Sequence, residues 1–223
     1  CVGHWLMGDG GGLVAFDVSG FRKNGTLTNM DPGTDWVGGP HGWALDFDGV
    51  NDTVDLGFVH VTGANPRPVT MWVKPTGLPG SGPSFIAWGT AADGEKWNLR
   101  SDFTSAVLRI EIHGQAYISA LTLTNDVWQF IGITFLCTTL AGHRLYVNGA
   151  SEAATGTNTV NTTSTNNASL ASSTVDGGRF MQVTIDDARI YDRALDPDEI
   201  TSLFTDPFLE FRTRRRLVFN SVT

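Results

Sequence analysis

Val183–Phe204, VTIDDARIYDRALDPDEITSLF, sets the reading of the chain. Val183 and Ile185 alternate with Thr184 and Asp186, then Ala188 and Ile190 with Arg189 and Tyr191. The period is two, so the segment is read as one long strand. Both parities carry apolar side chains, which suits a strand covered on both faces. A short helix follows. Asp196 is placed to cap it, Pro197 fits its first position, and Glu199 stands three residues after the cap, as in a capping box. Ile200, Leu203 and Phe204 share one helical face, and Asp206-Pro207 ends it. Counted straight through, Asp186 has the parity of Ala188 and Ile190, where a carboxylate requires donors or a cation. Asp187 has the parity of Arg189 and is placed to pair with it.

Outward from this stretch, short strands are predicted at 4–7, 43–47, 53–56, 69–74, 85–88, 97–100, 107–112, 116–119, 127–135 and 144–147, broken by Gly, Asn, Asp and Pro turns. Residues 17–25 read as a turn. Residues 151–178 are polar, rich in Thr, Asn and Ser and free of aromatics. They are expected to form an exposed hairpin and long loop, with a short strand near 168–171. About a dozen strands and one helix imply an all-β fold, a two-sheet antiparallel jelly-roll sandwich over residues 1–205, followed by a basic tail at 206–223.

Composition narrows the partners. The 223 residues carry a net charge of −8. Arg212, Arg214, Arg215 and Arg216 lie in a stretch without acids, so the rest of the chain carries −12. An acidic body argues against nucleic-acid binding by the domain. The basic tail is the candidate for docking to a partner, against the plainer reading of a solvated tail. No segment approaches the ~20 apolar residues of a membrane span. The two cysteines, Cys1 and Cys137, are read as free thiols rather than a disulfide framework. With Cys1 first and no apolar leader, the chain is expected to be processed or a fragment; a lipid-modified Cys1 is the alternative. The glycine-rich Gly8–Gly12 turn is not a phosphate loop, because it lacks the lysine and following helix.

IDDARIYDRALDPDEI (185–200) resembles the closing signature of laminin-G-like domains of the concanavalin A-like lectin/glucanase superfamily. HWLMGDGGGLVAFDVSG (4–20), GWALDFDGVNDTVDLG (42–57), VTMWVKP (69–75), DVWQFIGITF (126–135) and HRLYVNG (143–149) resemble its other blocks, in the family's order. FLEFRTRRRLVF (208–219) resembles endings of such proteins in bacteriophage genomes. The fold hosts lectins, hydrolases, lyases and structural modules, so the resemblance fixes architecture more than function.

What the resemblance implies about sites is a set of expectations. A structural calcium ion is expected near Asp186, by motif position, with Asp17 as a second oxygen donor. The alternative is that Asp186 caps backbone amides and Asp17 stabilises its own turn. Asp48, Asn51, Asp52 and Asp55 form a second acidic group, a rim calcium site or simply turn residues. A sugar platform would use aromatic faces: Trp72, Trp88, Trp97, Tyr117 and Trp128 lie on middle strands. Trp97, beside Lys96, Asn98 and Arg100, is the tryptophan expected at the surface; the competing reading places each tryptophan in the core. Arg109, Glu111, His113, Gln115 and Tyr117 alternate and could share a lyase-like face, or be a polar sheet surface. The five glutamates, Glu95, Glu111, Glu152, Glu199 and Glu210, form no hydrolase carboxylate pattern. The expected function is therefore non-catalytic recognition of glycans or a host-surface polysaccharide, on an extracellular or virion surface. The alternatives are a decoration or attachment protein of a phage particle, docked to other virion proteins through the tail, and a polysaccharide lyase or hydrolase. An oligomer is left open.

Overall fold

The computed structural model describes residues 1–57, 61–206 and 208. In chain order the first strands are β1 (Gly3–Trp5), β2 (Val14–Ala15), β3 (Gly25–Thr28), β4 (Trp36–Gly39), β5 (Gly42–Asp48), β6 (Thr53–Asp55), β7 (Val69–Pro75) and β8 (Ser84–Gly89). There follow β9 (Lys96–Ser101), β10 (Val107–Glu111), β11 (Ala116–Thr122), β12 (Gln129–Phe135), β13 (His143–Val147), β14 (Ala150–Ala153), β15 (Ser169–Leu170) and β16 (Gln182–Ile190). One helix, α1 (Pro197–Thr205), closes the described chain.

The strands form two antiparallel sheets, a jelly-roll sandwich. One runs β14-β13-β12-β7-β16-β5-β4, with β1 also on β16; the other runs β11-β10-β9-β8-β15-β6-β3-β2. Met71 and Val73 of β7, Ile131 and Ile133 of β12 and Val183 and Ile185 of β16 meet Trp88, Trp97, Leu99, Leu108 and Ile110 of the opposite sheet in one core. The strands missed from sequence, β2, β3 and β4, are pieces of two to four residues at or next to a sheet edge, too short for a period to register.

β16 carries a correction. Its pairing with β7 slips between Asp186 and Arg189, and Asp187 takes φ 52°. This bulge resets the alternation, so Ala188 and Ile190 join Val183 and Ile185 in the core while Asp186 stays on the opposite face, across from Trp72. Asp187 does pair with Arg189, Nη2 to Oδ2 at 2.9 Å, and its Oδ1 lies 2.7 Å from His4 Nε2.

The outer faces of the two sheets differ. The first sheet is covered by α1. Ile200 and Leu203, with half-buried Phe204, pack on Phe130, Tyr146, Tyr191 and Trp72. The helix is held at its start by the expected capping box, with Asp196 Oδ1 accepting from Glu199 N at 2.8 Å and Glu199 Oε2 from Asp196 N at 3.0 Å. The second sheet carries a row of small or polar outward residues across its strands: Thr26, Asp55, Ser169, Ala87, Asn98, Glu111 and Ala116, in register. Residues 151–178 are not simply exposed. Val160, Thr162 and Ser173 are buried, and isolated bridges tie Thr159 to Thr139 and Thr162 to Gly63.

Candidate functional site

The site lies on the outward face of β9 and β10. Lys96, Asn98 and Arg100 point outward from β9, alternating with Trp97 and Leu99 in the core. Arg109 and Glu111 point outward from β10, paired with Arg100 and Asn98. Residues 171–181 fold back over this surface and bring Asp176 and Arg179 to it. Lys96 Nζ reaches Asp176 Oδ1 at 2.8 Å and bonds Glu111 Oε1; Asn98 Nδ2 donates to Asp176 Oδ2 at 3.2 Å. Arg109 Nη1 donates to Asp102 Oδ1 at 3.0 Å and its Nη2 to Glu111 Oε2 at 3.2 Å. Three guanidinium groups gather on the half-exposed Phe103 ring, Arg100 at 4.1 Å and Arg109 and Arg179 each at 5.3 Å from its centroid. Gly82 makes room for this stack: a Cβ there would lie 2.7 Å from the Phe103 ring and 2.8 Å from Arg100 Nη2.

Above this network is a cleft of about 400 Å³, lined by Phe103, Arg109, Glu111, His113, Gln115 and Arg179, with Gly114 and Ala116. Burial opposes ionisation of Glu111, but the Lys96 hydrogen bond and the charges of Arg100 and Arg109 outweigh it and hold the carboxyl below its ordinary value. Asp176 is lowered in the same way, burial being overcome by Lys96, Ser173 and Arg179. Arg100 is drawn down to about 10 by burial, against the pull of Glu111, and stays cationic at neutral pH. At the rim, His113 Nδ1 lies 2.8 Å from Asp93 Oδ1. A larger groove of about 580 Å³, beside the start of α1, is lined by Leu136, Cys137, Arg144, Tyr146, Leu195 and Pro197 among others. It has no comparable convergence of charged groups; its Glu199 is already held by Arg193 and the helix cap.

Of the residues singled out in the sequence, Arg109, Glu111, His113 and Gln115 come together in the cleft, and the others are scattered. Asn98 and Arg100 lie under the cleft, as buried groups. Trp97 is fully buried, which corrects the expectation of exposure. It faces the core against Trp88, with ring centroids 4.3 Å apart, and its Nε1 donates to His143 Nε2 at 2.9 Å. Charged neighbours in sequence misled here, because in a strand adjacent residues point to opposite faces. Trp72 belongs to the other sheet, stacked on Phe204 at 5.9 Å beneath α1. Tyr117 is also corrected. The 112–115 turn separates Glu111 from Ala116, which pair directly, so parity counted through the turn is inverted. Tyr117 sits opposite Ile110, packs against the core, and donates its hydroxyl to Glu152. That hydrogen bond, with burial second, raises its pKa. His113 and Tyr117 therefore do not share a face. Half-exposed Trp43 is the tryptophan that sequence reasoning passed over. Phe103, Asp176 and Arg179 were missed because each sits in an irregular segment without a period.

The carboxylates expected to hold calcium accept hydrogen bonds from the protein itself. Asp17 accepts from His4 N at 2.9 Å, Ser19 N and Oγ each at 2.8 Å, and Lys23 N at 2.9 Å. Burial would raise its pKa, but these bonds hold it lowered. This is the turn-stabilising alternative. Asp186 Oδ2 takes His41 N at 3.0 Å, and its buried Oδ1 makes no hydrogen bond to the described residues. The two carboxylates share no partner. Among the described residues no three His, Cys, Asp or Glu side chains come together as a metal cluster. Asp48, Asp52 and Asp55 likewise accept backbone amides, from Val50, Asp48 and Gly57. Arg212, Arg214, Arg215 and Arg216 lie outside the described residues. No helix among the described residues is long and apolar enough to cross a membrane.

The laminin-G family model described as concanavalin A-like lectin/glucanases superfamily matches residues 48–201. The chain belongs to this superfamily. No curated protein matches it. Among solved structures it resembles domain 4 of AbnA, an extracellular GH43 arabinanase of Geobacillus stearothermophilus, in complex with arabinotriose. That match has a TM-score of 0.68 and 20% identity, over 91% of this chain and 97% of that one. Trypanosoma rangeli sialidase, in complex with the inhibitor DANA, matches with TM-score 0.66 and 16% identity, over 93% of this chain but 33% of the sialidase. The binding domain of Paraclostridial Mosquitocidal Protein 1 matches with TM-score 0.62 and 16% identity, over 87% of this chain and 50% of that one. At these identities the likeness is one of fold.

Proposed function

We propose that this superfamily member is a non-catalytic saccharide-binding module that works outside the cell and reads its ligand in the cleft on β9 and β10. The observation that carries the reading is a concave site of ligand size in which a half-exposed aromatic ring, Phe103, stands among hydrogen-bonding groups from Arg109, Glu111, His113, Gln115 and Arg179. That mixture suits a sugar, which offers an apolar ring face and a rim of hydroxyls. The likeness to an arabinanase domain solved with arabinotriose supports the same reading.

Two features favour binding over turnover. Glycoside hydrolysis uses two carboxyl groups, one kept protonated. Glu111 is the one carboxylate lining this cleft, and its surroundings favour the ionised form. A lyase built on His113 and Tyr117 would need both on one face, whereas Tyr117 packs toward the core.

The test is a glycan array probed with the purified chain, with calcium and again with chelator. Binding to at least one saccharide class, lost in Phe103→Ala at unchanged melting temperature, is the expected result. Absence of binding in both conditions, or release of shortened or unsaturated products from a bound polysaccharide, overturns the proposal.

A further inference from the structure

The charges in the ion-pair network beneath the cleft do not cancel. Lys96, Arg100, Arg109 and Arg179 meet Asp102, Glu111 and Asp176, four cations against three carboxylates, while the exposed Asp93 stands outside this network, beside His113 at the rim. This surplus stands in a chain whose net charge is −8. The three carboxylates are also heavily committed. Asp102 accepts from Thr104 N and Oγ1, Ser105 Oγ and Arg109; Asp176 from Lys96, Asn98 and Ser173; Glu111 from Lys96 and Arg109. Arg109 donates through both Nη atoms, but Arg100 and Arg179 are less well served. Arg100 is fully buried beneath Phe103 and Glu111, yet Nε, Nη1 and Nη2 make no hydrogen bond to the described residues. Its Nη1 approaches Glu111 Oε2 at 3.3 Å without hydrogen-bond geometry. Arg179, one of the residues lining the cleft, lies 3.2 Å from Asp176 Oδ2 through Nε, without hydrogen-bond geometry. It is held in place against Phe103, at the end of a Gly177-Gly178 turn where its own φ is 42°.

A buried cation with unsatisfied N–H groups is costly by itself, and an anion brought next to it offsets that cost. A guanidinium fork matches the planar, two-oxygen shape of a carboxylate, and the low local dielectric strengthens the attraction. We propose that the cleft selects acidic saccharides. The sugar's acid group meets the Arg179 fork and Arg109, one face of the ring lies on Phe103, and the charge of Arg100 beneath the ring favours the anion without touching it. Gln115 and His113 are then placed at the rim for hydroxyls. This inference rests on the saccharide-binding reading of the same cleft and adds the ligand class to it.

The test is calorimetric titration of the purified chain with three sets of oligosaccharides of matched length: uronate-containing, sulfated and neutral. The expected result is that one acidic set binds at least tenfold more tightly than the neutral set, and that this preference shrinks as salt rises from 50 to 500 mM, as for a partly exposed ion pair, about 10 Å being the screening length at 0.1 M. The uronate and sulfate arms tell which acid group is read. Arg179→Ala is expected to remove the preference at an unchanged melting temperature, and Arg179→Lys to restore part of it. Equal binding of neutral and acidic sets, or a preference untouched by Arg179→Ala, overturns the inference while leaving the saccharide-binding function standing. Binding of no set overturns both.

Discussion

Arg67 and Arg100 are both fully buried, and both are drawn down to about 10, Arg67 by burial and Arg100 by burial against the pull of Glu111. They differ in what their N–H groups do. Arg67 donates to Asn65 O at 3.1 Å, to Gly63 O and to Thr162 Oγ1, and lies over the Phe135 ring. It ties the long polar loop around residue 162 to the body of the sandwich. Arg100 donates no hydrogen bond to the described residues and lies under a cleft. Burial therefore does not separate the two arginines. Their hydrogen bonds do: Arg67 is spent on the fold, whereas Arg100 is held under the cleft by the charge of Glu111 and the Phe103 ring.

The largest expected effect comes from breaking the satisfied side. Arg67→Met leaves Asn65 O, Gly63 O and the Thr162 hydroxyl short of a donor, at about 1–3 kcal/mol for each group left buried. A loss of about 3 kcal/mol is expected from the denaturant midpoint at constant slope. A loss below about 1 kcal/mol would remove the distinction between the two arginines.

An intermediate effect tests satisfaction on the core side of β9. His143 is held down to about 3 by burial, which outweighs the help of Leu140 O, while Arg67 lowers it further. It is neutral in the fold, with Nδ1–H directed to Leu140 O at 2.9 Å and Nε2 accepting from Trp97. As pH falls below about 6.5 the unfolded chain takes up this proton and the folded one does not, until about 3. Stability should fall across that window by about 1.4 kcal/mol per pH unit, roughly 2 kcal/mol by pH 5. In His143→Gln this contribution should vanish, so the difference in unfolding free energy between variant and parent changes steadily from pH 6.5 to 5. A constant difference would contradict it.

The smallest effect belongs to Arg100. Arg100→Met removes a buried charge without hydrogen bonds but also one of three cations on Glu111; Lys96 and Arg109 still hold that carboxylate, so the expected loss is smaller than for Arg67→Met, about 1 kcal/mol. A cost equal to that of Arg67→Met would mean that contact with Glu111 and Phe103 is worth a full set of hydrogen bonds, and the comparison would collapse.

How far the sequence led depended on the range of each signal. The strands at 69–75, 129–135 and 182–190 were legible because alternation is carried within each strand. The same counting failed at Tyr117 and past Asp186, where a four-residue turn and a bulge reset the phase. Neither leaves a mark that residue types alone disclose. At the candidate site Arg109, Glu111, His113 and Gln115 were read as one face and do line the cleft, whereas Asn98 and Arg100 were named for the wrong reason, as neighbours of an exposed Trp97 that is in fact core.

By itself the sequence determined the all-β sandwich, the capping box at Asp196 and Glu199, and the Asp187–Arg189 pair, since each depends on residues two or three apart or on repeated alternation. The tertiary structure decided which outward residues meet. Residues 171–181 must cross β8 and β9 before Asp176 can reach Lys96, or Arg179 can join Arg100 and Arg109 on Phe103. The path of that loop is set by packing between segments far apart in the chain, and such contacts leave no local pattern to read.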